Sequence, residues 1–264
     1  MKKTLFNLAI VILLSACSTT STLMQSLMYD DGLSESEIVE GLKTALDIGT
    51  NKAVKIVSDP DGYLEDQAIK IILPPEMNRI IEDLREAPGG EQIYQATIQP
   101  IVKDLVTAIN RSASDAATQA GPIFKSALTE MSFVDAWAIL RGEYNNAGRR
   151  SATQYFQDKT SNSLSNLFQP SIDASLDKPL IANTSANTLW DKFLNAYNTV
   201  RKSPANLLMK LEPVEEPDLS NYVTRRALDG LFVKIADEEE AIRNDPYQYT
   251  SNIIRKVFGD EAAL

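Results

Sequence analysis

The sequence predicts an all-α protein: an irregular multi-helix bundle, folded as a single domain after an N-terminal signal peptide. Three observations carry that expectation. Apolar residues recur at three- and four-residue steps through most of the chain, and no stretch sustains the two-residue alternation of a half-buried strand. Glycine is scarce, 11 of 264 residues, whereas sandwiches and barrels are rich in glycine-bearing turns. The balance of 44% hydrophobic and 23% charged residues is that of a globular chain, which argues against both extended disorder and a membrane-embedded bundle. A single domain is expected because every helical segment has an apolar face and no long linker divides them.

The N-terminus reads as a targeting segment. Lys2 and Lys3 precede an apolar run, Leu5 to Leu14, followed by Leu14-Ser15-Ala16-Cys17. A charged start, a short apolar stretch and small residues before a cut form a secretory signal. Ten helical residues reach about 15 Å, half of a ~30 Å hydrocarbon core, so a membrane span is a poor reading. The tetrapeptide LSAC resembles the lipobox of bacterial lipoproteins, in which the cysteine becomes the first mature residue. That resemblance implies residues 1–16 as signal peptide and residues 17–33 as a lipidated N-terminus and tether, with the helical domain over 34–264. It also implies a diacylglyceryl thioether on Cys17 and an amide-linked, palmitate-type chain on its freed amine. Stable anchoring takes at least two chains, each methylene contributing about 0.8 kcal/mol. Ser18, where an aspartate would favour retention in the inner membrane, points to the outer membrane with the domain facing the periplasm. The polar run Ser18 to Thr22 suits a tether.

The helices follow in order. Ser34 and Glu37 form a capping box ahead of Ile38, Val39, Leu42, Ala45, Leu46, Ala53, Ile56 and Val57, one apolar face. Asp59-Pro60-Asp61-Gly62 stops that helix. Met77, Ile80, Ile81 and Leu84 mark a short second helix after Pro74-Pro75, and Pro88-Gly89-Gly90 turns the chain. Ile93 to about Gln119 is a long helix with a bend expected at Pro100. Pro122 opens the next helix. Ser132 caps Phe133 to Leu140, whose apolar residues on every side place it at the centre of the core, with Trp137 packed there. Ala152 to Phe168 is a helix, and Asp177 to Ser185 a loop. The segment carrying Leu189, Trp190, Phe193, Leu194 and Tyr197 is amphipathic. Ser203 to Asp218, with three prolines, is an extended loop. Ser220 to Asn244 is the strongest helix, and Ile253 to Phe258 a last short one closed by Gly259.

Composition removes whole classes of function. The chain has no histidine, so no Ser-His-Asp triad, Cys-His pair, histidine metal site or imidazole pH switch can exist. Cys17 is the one cysteine, which excludes an internal disulfide and a thiolate cluster. Net charge is −10. Loss of residues 1–16 takes Lys2 and Lys3 and no acid, leaving 24 basic against 36 acidic residues, net −12. Such a surface repels phosphate backbones and anionic lipid, so no nucleic acid is expected as a partner, and membrane attachment is expected from the acyl chains rather than from a basic patch.

Few residues suggest chemistry. Asp59, Asp61, Glu65 and Asp66 hint at a calcium loop, but the glycine is fourth where an EF-hand needs it sixth and Lys70 stands at the twelfth position. The reading there is a helix-stopping turn, with no metal expected. Glu239 lies seven residues after Phe232 and four after Ile235, along the apolar stripe, and Arg243 lies four further on. Arg225 and Asp229 repeat that spacing in the less favourable order. The plainer reading is two structural ion pairs, one partly buried. The sharper one is a polar cluster lining a pocket, with Thr153 and Tyr155 opposite.

Several blocks together resemble a known family. Asp135 to Gly142 (DAWAILRG), Ala152 to Phe156 (ATQYF), Tyr222-Val223-Thr224, Ala227 to Phe232 (ALDGLF), Ile242 to Pro246 (IRNDP) and Val257-Phe258-Gly259 are similar to DUF4197. So are Pro60 to Leu64 and Ile69 to Pro74. The similarity covers about Gly41 to Gly259 and departs at Glu143 to Arg150 and Pro179 to Asn187. It implies a helical, exported bacterial protein and no reaction. The expectation is therefore a non-catalytic, lipid-anchored envelope protein, attached through Cys17 and binding an envelope partner or a small ligand without a cofactor. The alternative is a histidine-independent hydrolase or lyase working through carboxylate, Arg and Tyr groups.

Overall fold

The computed structural model describes residues 34–213 and 218–259. Cys17, the signal segment and the tether lie outside the described residues. The described chain is helical: α1 Glu35–Ser58, α2 Pro75–Glu86, α3 Gln99–Ala117, α4 Gly121–Glu130, α5 Phe133–Leu140, α6 Ser151–Leu176, α7 Ala186–Lys202, α8 Leu219–Asn244 and α9 Asn252–Phe258. The all-α expectation holds.

The capping boxes form as their residues require. Ser34 accepts from the Glu37 N–H at 3.3 Å while the Glu37 carboxylate accepts from the Ser34 N–H at 2.7 Å. Ser132 and Asp135 do the same for α5. The long helices α8 and α6 pack on each other; α1 lies against α8, α3 against α6, α7 against α3, and α9 against α1. Between them sit Phe156, Phe168, Ile172, Val223, Leu231 and Phe124, all essentially inaccessible. Phe124 meets Phe156 and Phe232 edge-on at 5.4 and 6.3 Å, the favoured quadrupole geometry.

Four local expectations are corrected. The irregularity expected at Pro100 falls just before it, as a π-helical turn over Tyr94–Ile98 that runs into α3. Proline supplies no N–H to the preceding turn, and a wider turn accommodates that without a sharp kink. Helix α6 does not stop at Phe168 but continues through Pro170 to Leu176. Burial of Ile172 and Leu176 offsets the lost backbone bond. Helix α5 is not central. Ala136, Ile139 and Leu140 are buried, but Val134 is 74% exposed and Phe133 stacks on a half-buried Trp137 at 6.0 Å. Seven apolar residues on a two-turn helix cannot all face inward. Finally, Ser203 to Pro213 is not wholly extended, since Asn206–Met209 forms a helical turn.

Between α1 and α2 the chain runs through turns as far as Ile69 and then in neither helix nor strand to Pro74, with Ile69, Ile71 and Leu73 buried while Ile72 is 54% exposed. Among the described residues this strap has no neighbouring strand. Its backbone is satisfied by side chains: the fully buried Asn110 accepts from the Ile71 N–H at 2.8 Å and donates to the Ile71 carbonyl at 2.7 Å. Tyr222 donates to the Ile72 carbonyl at 3.0 Å, and Asn78 to that of Leu73 at 3.1 Å. The buried Tyr63 hydroxyl donates to the Ala227 carbonyl at 2.7 Å. Gly230 makes that approach possible. A Cβ there would stand 2.7 Å from the Tyr63 ring and 3.0 Å from Ile69.

Candidate functional site

The charged pair on α8 closes on itself. Helix α6 begins at Ser151, and its first-turn N–H groups lack helical partners. Glu239 supplies them: Oε1 accepts from the Ala152 N–H at 3.0 Å, and Oε2 accepts from the Thr153 N–H and hydroxyl at 2.8 Å each. Arg243 donates to Glu239 Oε1 through Nε at 3.1 Å and Nη2 at 2.9 Å. Its remaining reach goes to the far end of α5, with Nη1 at 3.2 Å from the Leu140 carbonyl and Nη2 at 2.7 Å from that of Ile139. An anion thus sits on a helix N-terminus and a cation on a helix C-terminus, each matched to the helix dipole. Both side chains are 4% exposed. The intervening loop turns on left-handed residues, Gly142 at φ 73° and Asn145, Asn146 and Gly148 beyond it.

This network has no face left for a substrate. Both carboxylate oxygens and all three guanidinium nitrogens are engaged by the fold. Thr153 belongs to it, as expected. Tyr155 does not. Its hydroxyl donates to the Ala127 carbonyl on α4 at 3.0 Å, and burial pushes its phenol up to about 12.

Arg225 and Asp229 lie elsewhere, on a groove of about 830 Å³ between α8, the start of α2 and the middle of α6. They are not partners of each other; Asp229 pairs with Arg226 at 3.3 Å. Leu228 and Phe232 contribute its apolar surface. Tyr222, Asn221, Gln157, Ser161 and Asp158 add polar lining, and Glu76 and Asp218 are further acids. The six residues singled out in the sequence therefore divide among a buried network (Thr153, Glu239, Arg243), the α4–α6 contact (Tyr155) and an open groove (Arg225, Asp229). Sequence reasoning missed Tyr222, Arg226 and Asp158, which join the groove only because α6 and α8 pack side by side.

The acidic turn after α1 is a turn. The Gly62 N–H bonds the Asp59 carbonyl at 2.8 Å, Arg111 holds Asp61 at 2.9 Å, and Lys234 holds Asp66 at 2.7 Å. The Lys234 ammonium keeps the Asp66 carboxyl below its ordinary range. Among the described residues no set of three acids converges as a metal site, and no helix is long and apolar enough to cross a membrane.

Residues 32–259 match the family described as Protein of unknown function (DUF4197). The chain belongs to that family. No curated protein and no solved structure matches it. The motif blocks of this DUF4197 chain have packing roles in the structure. In ALDGLF, the Ala227 carbonyl receives Tyr63, Gly230 admits the Tyr63 ring, and Phe232 reaches the groove. In IRNDP, Arg243 ties the end of α5, Asn244 receives a bond from Arg149, and Asp245 caps the turn at Pro246.

Proposed function

We propose that this protein is a lipid-anchored domain of the bacterial cell envelope that binds a partner or small ligand in the α6–α8 groove and catalyses no reaction. The attachment is the acylated Cys17, facing the periplasm from the outer membrane. The observation that carries the binding reading is the full commitment of Glu239 and Arg243 to the ends of α5 and α6. The acid best placed to act as a hidden catalyst is a structural clamp, which removes the strongest support for the hydrolase or lyase alternative. The groove has what a binding surface needs: two guanidinium groups, carboxylates and an apolar floor at Leu228 and Phe232.

In-cell photocrosslinking tests the reading. A photoreactive residue at Asn221, exposed on the groove wall, is expected to give discrete adducts. Arg225→Glu should abolish them without altering the melting temperature, because Arg225 is solvent-exposed. Adducts that survive the charge reversal, or that form equally from a probe at the distant Asp237, would remove the groove from the account. Cys17→Ser followed by fractionation tests the anchor separately; an unchanged membrane fraction would contradict it.

A further inference from the structure

We propose that the helical turn Asn206–Met209 is a membrane-contacting tip that lays Leu207 and Leu208 into the interface of a bilayer bearing anionic headgroups. These two side chains are 84% and 75% exposed, the most exposed large apolar residues described. They are adjacent, on a turn that follows the end of α7.

Three further features fit a bilayer. The first is local charge. In a chain of net −10, the charged residues flanking the turn are Arg201, Lys202 and Lys210 against one acid, the exposed Glu212, a local excess of positive charge. Lys202 and Lys210 are exposed on either side of the leucines, where their ammonium groups can meet lipid phosphates while the leucines go deeper. The second is backbone satisfaction. Groups entering an apolar layer must bring their hydrogen bonds with them. Every N–H from Asn206 to Leu211 is bonded within the tip, to the carbonyls of Ser203, Pro204, Ala205 (twice) and Asn206 and, from Leu211, to the Asn206 side chain at 2.7 Å. The carbonyls of Leu207 to Lys210 accept no bond from the described residues, so the leucine side chains enter the apolar layer while the turn's backbone stays at the headgroups. The third is preorganisation. Leu211 is buried and Met209 packs on the core, so the turn is held in shape before it meets anything.

The inference takes its setting from the anchored reading above. The 17 residues from Cys17 to Leu33 can extend to about 60 Å at ~3.5 Å each, against a radius of gyration near 17 Å expected for a domain of this size. The tether therefore leaves the tip free to reach the surface that holds the acyl chains.

The test uses the full chain with an environment-sensitive fluorescent amino acid at position 207, mixed with phosphatidylethanolamine vesicles containing phosphatidylglycerol. The probe's emission is expected to shift to the blue and brighten, while the same probe at Asp237 keeps its aqueous spectrum. Leu208→Asp should weaken insertion by at least about tenfold, the scale of one leucine leaving an apolar phase. Lys202→Glu with Lys210→Glu should remove the dependence on phosphatidylglycerol. A probe at 207 that stays aqueous at saturating lipid overturns the inference, whatever the mass of the N-terminus. A blue-shifted probe on a chain whose Cys17 carries no lipid upholds the tip and overturns only the anchor.

Discussion

Glu239, which spacing alone leaves open as one half of a structural ion pair or as part of a pocket lining, is architectural in the fold. Its place on the apolar stripe of α8 is legible from spacing alone, and so is Arg243 one turn later. Their destination is not, because the N–H groups of Ala152 and Thr153 are 87 and 86 residues away. Nor could spacing decide between Arg225 and Arg226 as the partner of Asp229, since three- and four-residue steps are both neighbours on a helix. Removing the carboxylate strands a buried guanidinium and two helix-end donors. Glu239→Ala is expected to cost about 3–5 kcal/mol, read by chemical denaturation. Adding Arg243→Met should recover part of that loss, since the orphaned charge goes with it. A single-variant cost under about 1 kcal/mol would contradict the clamp.

At the scale of elements, the helices were legible because their apolar faces and caps are local. The strap from Ile69 to Leu73 was not. Its alternation lasts five residues, and its hydrogen-bond partner is the side chain of Asn110 rather than a strand. Asn110→Ala would leave the Ile71 N–H and carbonyl unpaired in the core, at about 1–3 kcal/mol for each group. Hydrogen exchange should then show the Ile71 amide losing its protection; retained protection would mean that another group holds the strap. Gly230 makes the same point through packing. Helix propensity alone favours alanine there by about 1 kcal/mol. Contact with Tyr63 and Ile69 reverses the sign, and Gly230→Ala is expected to destabilise by about 1–3 kcal/mol in an unfolding titration. A stabilised variant would show that the Tyr63 approach is not tight. The run past Pro170 was illegible for a related reason: tertiary burial of Ile172 and Leu176 outweighs a local rule.

For the whole molecule, the fold class was readable from periodicity. The groove was not, because it is made by two helices meeting rather than by any motif. Burial shapes the alkaline limit of stability. It raises the phenols of Tyr63 and Tyr155, the latter to about 12. A raised folded pKa gives stability that is complete below the unfolded value near 10 and lost as pH rises through the folded one. Burial also raises Tyr144, Tyr197, Tyr222 and Tyr249, so most of the nine tyrosines should ionise above ~10, and absorbance at alkaline pH should rise in a late step that coincides with loss of circular dichroism. A single gradual rise centred near ~10 with the helices intact would contradict their burial.

The account of where this domain works stands on Cys17, and the intact mass of the protein extracted from its own envelope tests it most directly. The predicted mass is that of a chain beginning at Cys17 and carrying a diacylglyceryl group and an amide-linked acyl chain. A chain beginning at any other residue, or one whose Cys17 thiol is bare, would contradict it.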